Sequence, residues 1–200
     1  MLSGLAWLAL EVKSLDRAVA FYQDHLDLSL RRQDGREAAL GAGETDLLLR
    51  RPAGVPRGGL HTHYAFSCPA DAYDDWWDRL AANFGLHEET FGDVRSLYFY
   101  DTEGNCVEVM GRDSGSQTAI TGLSRRTRLT AGPFDLELWE PHLGLADARG
   151  GVHVDLGAYV DDPEAAADAV WGRADRVEDL DGGDVRVRDP DGHYLTFVGE

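Results

Sequence analysis

The sequence predicts an α+β protein of tandem βαβββ units that form a curved mixed sheet, or cup, followed by an extra partial C-terminal copy. Three observations predict this class. Residues 5–51 have the pattern of a strand, a helix and three short strands, residues 60–111 repeat that order, and residues 149–199 match the second copy again. Internal repetition at a fixed period is stronger evidence for architecture than local propensity.

The first unit begins with a strand over residues 5–12, in which Trp7, Ala9 and Glu11 share one face. A helix follows, because Ser14 is a suitable N-cap and apolar residues recur at helical spacing over residues 18–26. Three short strands separated by Asp-Gly and Gly-Ala-Gly turn sequences complete the unit: residues 28–32, 37–41 and 46–51.

The second unit has the same elements in the same order. The segment HTHYAFSCP predicts a strand over residues 61–69, and a helix is expected over 72–84. Its remaining strands are predicted near residues 86–90, 97–100 and 106–110. In the turn DTEGN, Gly104 provides the positive φ that a tight hairpin requires.

A third copy follows a polar stretch. RGGVH at 149–153 matches RGGLH at 57–61, and residues 185–199 align with 97–111. The segment FDLELWEP also resembles TDLLLRRP of the first unit, so a shortened unit precedes the last one. The predicted organisation is a paired βαβββ domain over residues 1–112, a linker over 113–125 and a truncated half-domain over 126–200.

The charge balance narrows the classes of partner. Thirty-six acidic residues against 19 basic ones give a net charge of -17, whereas nucleic acid and anionic membranes bind basic patches. Lys13 is the single lysine, a bias that resembles proteins of salt-loving microbes. The N-terminal segment lacks a basic region before its apolar run, and no window has the roughly 18 apolar residues of a membrane helix. We therefore expect a cytoplasmic protein, monomeric or homodimeric, that binds a small-molecule substrate.

Two motifs carry a family resemblance. A doubled βαβββ unit with LDRAVAFYQDHLDL after the first strand and YFYDTEGNCVEV near the end of the second resembles the vicinal oxygen chelate superfamily. This superfamily includes glyoxalase I, the bleomycin and fosfomycin resistance proteins and the extradiol dioxygenases. The resemblance implies that two units curl into an open cup, with metal ligands on the first and last strand of each unit.

The resemblance assigns four ligand positions to the first pair of units, at Trp7, Leu48, His63 and Glu108. Of these, His63 and Glu108 are ligand types, and an imidazole with a carboxylate suits a divalent Fe, Mn, Zn or Ni ion. The second pair lacks its first strand and retains three positions: Glu137, Asp155 and Thr196.

Two protein ligands are fewer than the three that catalytic metal sites usually have. His61 is a candidate third ligand, because strand alternation places it on the same face as His63 roughly 6–7 Å away. Glu11 is another candidate ligand, because strand alternation places it on the same face of the first strand as Trp7. His61 is also expected to face the substrate, as is Tyr98, which can donate a hydrogen bond to a bound oxyanion.

The reaction type stays open at this point. The extradiol dioxygenase signature is matched at Tyr98 and Glu108, but Thr102 replaces its proline. Its histidine is absent, since His87 lies too far from Leu97 and is expected to be solvated. A glyoxalase-type isomerase would use a glutamate at the position of Leu48.

The sequence therefore predicts a metal-dependent enzyme of the glyoxalase or extradiol dioxygenase type that acts on a small molecule with vicinal oxygens. The alternative is a non-catalytic protein of the bleomycin-resistance type, without metal, that binds a small molecule in an aromatic-lined cup. In that alternative Trp7 closes the cup, and acidic charge attracts a cationic drug.

Overall fold

The computed structural model describes residues 2–52, 63–113, 126–131, 134–139, 155–190 and 192–200. Its strands and helices, in chain order, are β1 (Leu2–Glu11), α1 (Leu15–Leu26), β2 (Ser29–Gln33), β3 (Glu37–Ala42), β4 (Thr45–Arg50), β5 (His63–Cys68), α2 (Tyr73–Ala81), β6 (His87–Phe91), β7 (Val94–Tyr100), β8 (Cys106–Gly111), β9 (Arg126–Ala131), β10 (Phe134–Trp139), β11 (Asp155–Val160), α3 (Pro163–Asp168), β12 (Arg176–Asp179), β13 (Val185–Arg188) and β14 (Tyr194–Gly199).

The strands form two mixed sheets and a separate hairpin. The larger sheet has eight strands in the order β12-β13-β14-β11-β1-β4-β3-β2, the smaller has four in the order β5-β8-β7-β6, and β9 pairs with β10. Each complete unit has the same internal order, in which its first strand lies parallel to its last one. This confirms the α+β class and the tandem βαβββ units.

The first unit shares its sheet with the last unit. Strand β1 pairs antiparallel with β11, with Trp7 opposite Gly157. Our expectation that the first and second units complete one sheet is therefore wrong. The physical reason is that apolar alternation decides which face of a strand is buried but not which strand occupies its edge. The boundaries at 1–112, 113–125 and 126–200 stay predictions, and residues 114–125 lie outside the described part of the chain.

The first and second units are joined instead by a common hydrophobic core. Buried side chains of α1 and the first unit's strands pack with those of β7 and β8 in one cluster. The ring of Phe21 on α1 lies 5.6 Å from Phe84 and 6.4 Å from Phe99 of the second unit. The helical faces of these two units therefore contact each other, which leaves the opposite face of each sheet for other roles.

The predicted turn at Gly104 is confirmed by the backbone. Gly104 has a φ of 86° in the turn between β7 and β8. Asp162 caps α3, accepting a hydrogen bond from the Ala165 amide at 3.0 Å. In contrast, Ser14 is the N-cap residue of α1 but makes no side-chain capping bond. Among the described residues, none of the helices has the length and apolar character of a membrane span.

Candidate metal site

The site is built on two parallel neighbours, β5 and β8. In their register His63 is opposite Cys106, and Ala65 is opposite Glu108. Because successive side chains of a strand alternate between faces, His63 and Glu108 project from the same face. The imidazole Nε2 lies 3.0 Å from the carboxylate Oε2. The structure therefore brings together the two ligand-type residues that the sequence singled out, which are 45 positions apart.

Glu108 is held as a carboxylate by its surroundings. It is 4% exposed, and the Tyr98 hydroxyl donates a hydrogen bond to Oε1 at 3.1 Å. Burial alone would raise the pKa of the Glu108 carboxyl, but the contacts with His63, Ser96 and Tyr98 outweigh burial and hold that pKa below its ordinary value. Burial and the neighbouring Glu108 charge raise the pKa of Tyr98 strongly, so the phenol remains a donor.

The imidazole of His63 is less well satisfied. Its Nε2 is shielded from solvent and, among the described residues, has no hydrogen-bond partner of good geometry, although Oε2 of Glu108 is 3.0 Å away. A buried polar atom without a hydrogen bond costs roughly 1–3 kcal/mol. A cation shared by the nitrogen and the carboxylate would satisfy both groups, since both are ligands of divalent transition metals. The residues present therefore fit a metal, as part of its ligand set.

The rest of the ligand set is not provided by the described residues. Across the described ranges no three His, Cys, Asp or Glu side chains are grouped so that they could hold an ion. His61, the predicted third ligand, lies outside the described residues. Glu137 lies on β10, opposite Arg128 of β9. Its role as a ligand stays a prediction, as does that of His61.

Three positions predicted for this cup lie on the other sheet. Trp7, Leu48 and Glu11 belong to the eight-stranded sheet, where Glu11 is opposite Arg50. The expectations that Trp7 and Leu48 share a cup with His63 and Glu108, and that Glu11 could join their metal, are therefore wrong. The reason is again that β1 pairs with β11.

On that larger sheet the ligand-type residue is neutralised by arginine. Asp155 accepts hydrogen bonds from Arg50 Nη1 at 2.6 Å and from Arg186 Nη2 at 3.1 Å, and Thr196 donates to it at 3.2 Å. Two guanidinium groups satisfy its charge, which leaves no need for a cation. This face of the larger sheet is a network of ion pairs between the first and last units.

His87 lies on the same face as the candidate site, a position that its predicted exposure to solvent did not indicate. His87 on β6 is directly opposite Tyr98 on β7, and the two rings are 6.2 Å apart. Its Nε2 lies 2.8 Å from Glu89 Oε1. The side chain is 64% exposed, so the prediction that it is solvated agrees with its exposure. The signal in the sequence was the Gly-Asp turn at residues 92–93, where Gly92 has a φ of 63° between β6 and β7.

Cys106 also lies beside the carboxylate. It is 1% exposed, and burial together with the Glu108 charge raises the pKa of its thiol to about 12. A thiol with so high a pKa stays protonated at neutral pH and is a poor nucleophile. The chemistry of this site therefore depends on the imidazole, the carboxylate and the phenol.

Comparison with known proteins identifies the family. Residues 4–109 match the model of the Glyoxalase/Bleomycin resistance protein/Dioxygenase superfamily, which is more than half of the chain. The chain belongs to this superfamily. Two curated relatives in the superfamily are similar over 54% of the chain. Metallothiol transferase FosB of Staphylococcus haemolyticus is 24% identical over 84% of its own length, and glutathione transferase FosA of Serratia marcescens is 28% identical over 81%.

One solved structure extends the likeness to nearly the whole fold. The putative dioxygenase from Bacillus subtilis subsp. subtilis strain 168 is 16% identical, with a TM-score of 0.72 over 99% of this chain and 85% of that one. At this identity the match shows a common fold. The match covers the last unit as well as the first two.

Proposed function

We propose that His63 and Glu108 hold a divalent Fe, Mn, Zn or Ni ion, and that the protein is a metal-dependent enzyme acting on a small molecule with vicinal oxygens. The observation that carries this proposal is the shielded Nε2 of His63, 3.0 Å from Glu108 Oε2 and without a well-formed hydrogen bond. The match to the superfamily model spans both residues. One of the relatives is named a metallothiol transferase, which agrees with metal-dependent chemistry.

The roles of the protein groups follow from their positions. When bound, a divalent ion supplies Lewis acidity to two neighbouring oxygens of a substrate. Tyr98 donates to Glu108 Oε1 and so orients the carboxylate toward His63. Tyr98 and His61 are the residues expected to face the substrate, and the imidazole of His87 lies one strand beyond Tyr98. Whether the enzyme is an isomerase, a lyase or a dioxygenase depends on the identity of its general base, a role to which none of these residues is assigned.

Metal binding by matched variants tests the proposal. The wild-type chain and the variants His63→Ala, Glu108→Gln and His193→Ala are loaded with Mn(II), desalted and assayed for bound metal and affinity. His193 is a suitable control because its imidazole also lies near a carboxylate, 3.0 Å from Asp189, on the other sheet. The two site variants should bind Mn(II) more than about 100-fold more weakly, since even outer partners of metal ligands account for 10–100-fold.

The outcomes separate the two functions predicted from sequence. Near-stoichiometric metal in wild type and in His193→Ala, lost in the site variants, supports the enzyme. A wild-type chain that binds no Mn(II), Fe(II), Zn(II) or Ni(II) but does bind a cationic antibiotic contradicts it and supports the metal-free binding protein. Turnover is then assayed on catechols and on hemithioacetals of methylglyoxal.

A further inference from the structure

A buried carboxylate lies at the junction of the first and second units. Asp101 is 8% exposed, and its Oδ1 accepts hydrogen bonds from the amides of Glu103 at 2.9 Å and Asn105 at 2.8 Å. Its Oδ2 accepts from the Tyr22 hydroxyl at 2.6 Å and from Asn105 Nδ2 at 2.8 Å. The Tyr64 hydroxyl lies 3.3 Å from the same oxygen and hydrogen-bonds with the Tyr22 hydroxyl, which can accept its proton. One carboxylate therefore contacts α1, β5 and the turn between β7 and β8.

The two phenols act as donors in this cluster. Burial above all, and then the neighbouring groups, raise the pKa of Tyr22 and of Tyr64 well above their ordinary value, so both keep their protons. A buried carboxylate is tolerated where its oxygens are hydrogen-bonded, and the donors here meet that condition. Both oxygens of the Asp101 carboxylate are therefore hydrogen-bonded within the cluster.

Two of the three segments that meet at Asp101 lead into the strands of the candidate metal site. Tyr64 directly follows His63 on β5, and its side chain lies on the opposite face of the strand. Asn105 ends the turn three residues before Glu108 on β8. Asp101 thus fastens the strand that bears the imidazole to the strand that bears the carboxylate, from the far side of the sheet.

We propose that Asp101 is a positioning residue of this site, which fixes the separation of His63 and Glu108 through Tyr64 and the β7–β8 turn. The proposal rests on the function proposed for that pair. Metal sites require their ligands to be held closely, and a displacement of about 1 Å is enough to weaken a site. The side chains that determine the geometry of the site therefore include a group that touches neither ligand.

The last unit contains a matched control. Its turn at Asp189 has the same backbone bonds as the turn at Asp101: an Asp amide bonded to the residue four positions on, and a Gly amide bonded to the Asp carbonyl. Asp189 Oδ1 also accepts from the His193 amide at 2.8 Å, as Asp101 does from Asn105. Changing Asp189 therefore alters the corresponding turn in the unit that lacks His63 and Glu108.

The test compares Asp101→Asn, Tyr64→Phe and Asp189→Asn. Each protein is titrated with Co(II), whose visible absorption reports ligand geometry, and the imidazole signals of His63 are recorded by NMR without metal. We expect Asp101→Asn to weaken Co(II) binding about 10-fold or more, the range of outer-shell partners, and to alter the absorption band. Tyr64→Phe should shift the same band and the His63 signals, and Asp189→Asn should change neither.

The result that overturns the proposal is wild-type Co(II) affinity, absorption and His63 signals in both Asp101→Asn and Tyr64→Phe. If Asp101→Asn does not fold, Tyr64→Phe decides. Failure of the proposed function is distinct, because then His63→Ala binds Co(II) as wild type does. If wild type binds no Co(II), the metal-free His63 signals of the variants still show whether Asp101 positions this imidazole.

Discussion

The indole of Trp7 lies in the space that a side chain on Gly157 would need. A Cβ added to Gly157 would be 2.6 Å from Trp7 Cε3 and closer still to Cδ2 and Cε2. The two residues are opposite each other where β1 pairs with β11. The absence of a side chain at residue 157 is thus what allows the ring to pack across the junction of the first and last units.

Gly157→Ala is therefore expected to destabilise the protein by about 1–3 kcal/mol, the usual effect of overpacking. The midpoint of urea-induced unfolding measures this loss of stability. Gly172→Ala is the matched control, because a Cβ there meets nothing within 4 Å. Adding Trp7→Leu should recover part of the loss, and a Gly157→Ala variant as stable as wild type would contradict the close packing.

Loss of an arginine from the ion-pair network on the larger sheet should lower the free energy of unfolding more than Gly157→Ala does. Arg50→Met removes a guanidinium from Asp155, whose side chain is 8% exposed, and from Glu37, and leaves Arg186 as the remaining guanidinium at Asp155. Because a buried charge is then only partly compensated, we expect a loss of about 2–4 kcal/mol in the free energy of unfolding.

Arg176→Met is the control for this change. Arg176 pairs with Glu178 on β12, and its side chain is 63% exposed. Loss of such a surface pair should change the free energy of unfolding by about 1 kcal/mol or less. Equal losses of unfolding free energy in Arg50→Met and Arg176→Met would show that burial does not make the Asp155 ion pair more stabilising than a surface pair.

Stability should depend on acid pH through Glu37. Burial would raise the pKa of its carboxyl, but the contacts with Arg50 and Arg32 outweigh burial and lower it below the ordinary 4.5. A carboxyl with a depressed folded pKa stabilises the fold above its unfolded value, and that contribution is lost as the pH falls through the folded pKa.

Glu37→Gln should accordingly be less stable than wild type at about pH 7, and the difference should shrink as the pH falls below about 4.5. Urea unfolding of both proteins across this range gives the measurement. A difference that grows toward acid pH would have the wrong sign and would exclude this account of Glu37.

Tyr98→Phe removes the hydrogen bond to Glu108 Oε1 and leaves the ring in place. We expect Mn(II) affinity to fall by about 10-fold, because the carboxylate loses a partner that orients it. Calorimetric titration with Mn(II) measures this affinity, and Tyr159→Phe on the other sheet is the control. Unchanged affinity in Tyr98→Phe would show that Ser96 and His63 orient the carboxylate without the phenol.

Repetition and alternation predicted much of the fold, and the resemblance to the vicinal oxygen chelate superfamily predicted the central pair of the site. The parallel pairing of β5 with β8 then puts His63 and Glu108 on one face. The neighbour of β1 was not predictable in the same way, because the edge of a strand carries no side-chain pattern. The position of His87 was not predicted for a related reason. The residues of β6 are mostly polar and exposed, so no apolar alternation shows which face each side chain occupies, and the pairing of His87 with Tyr98 decides it.

The pairing of Leu2–Glu11 with Asp155–Val160 has a consequence for biogenesis. On the ribosome, the N-terminal strand emerges long before the segment that satisfies its edge amides and carbonyls. Such distant partners slow folding and prolong exposure of an unpaired edge. Nascent chains of this protein should therefore gain protease resistance in a late step, after residue 160 has left the exit tunnel.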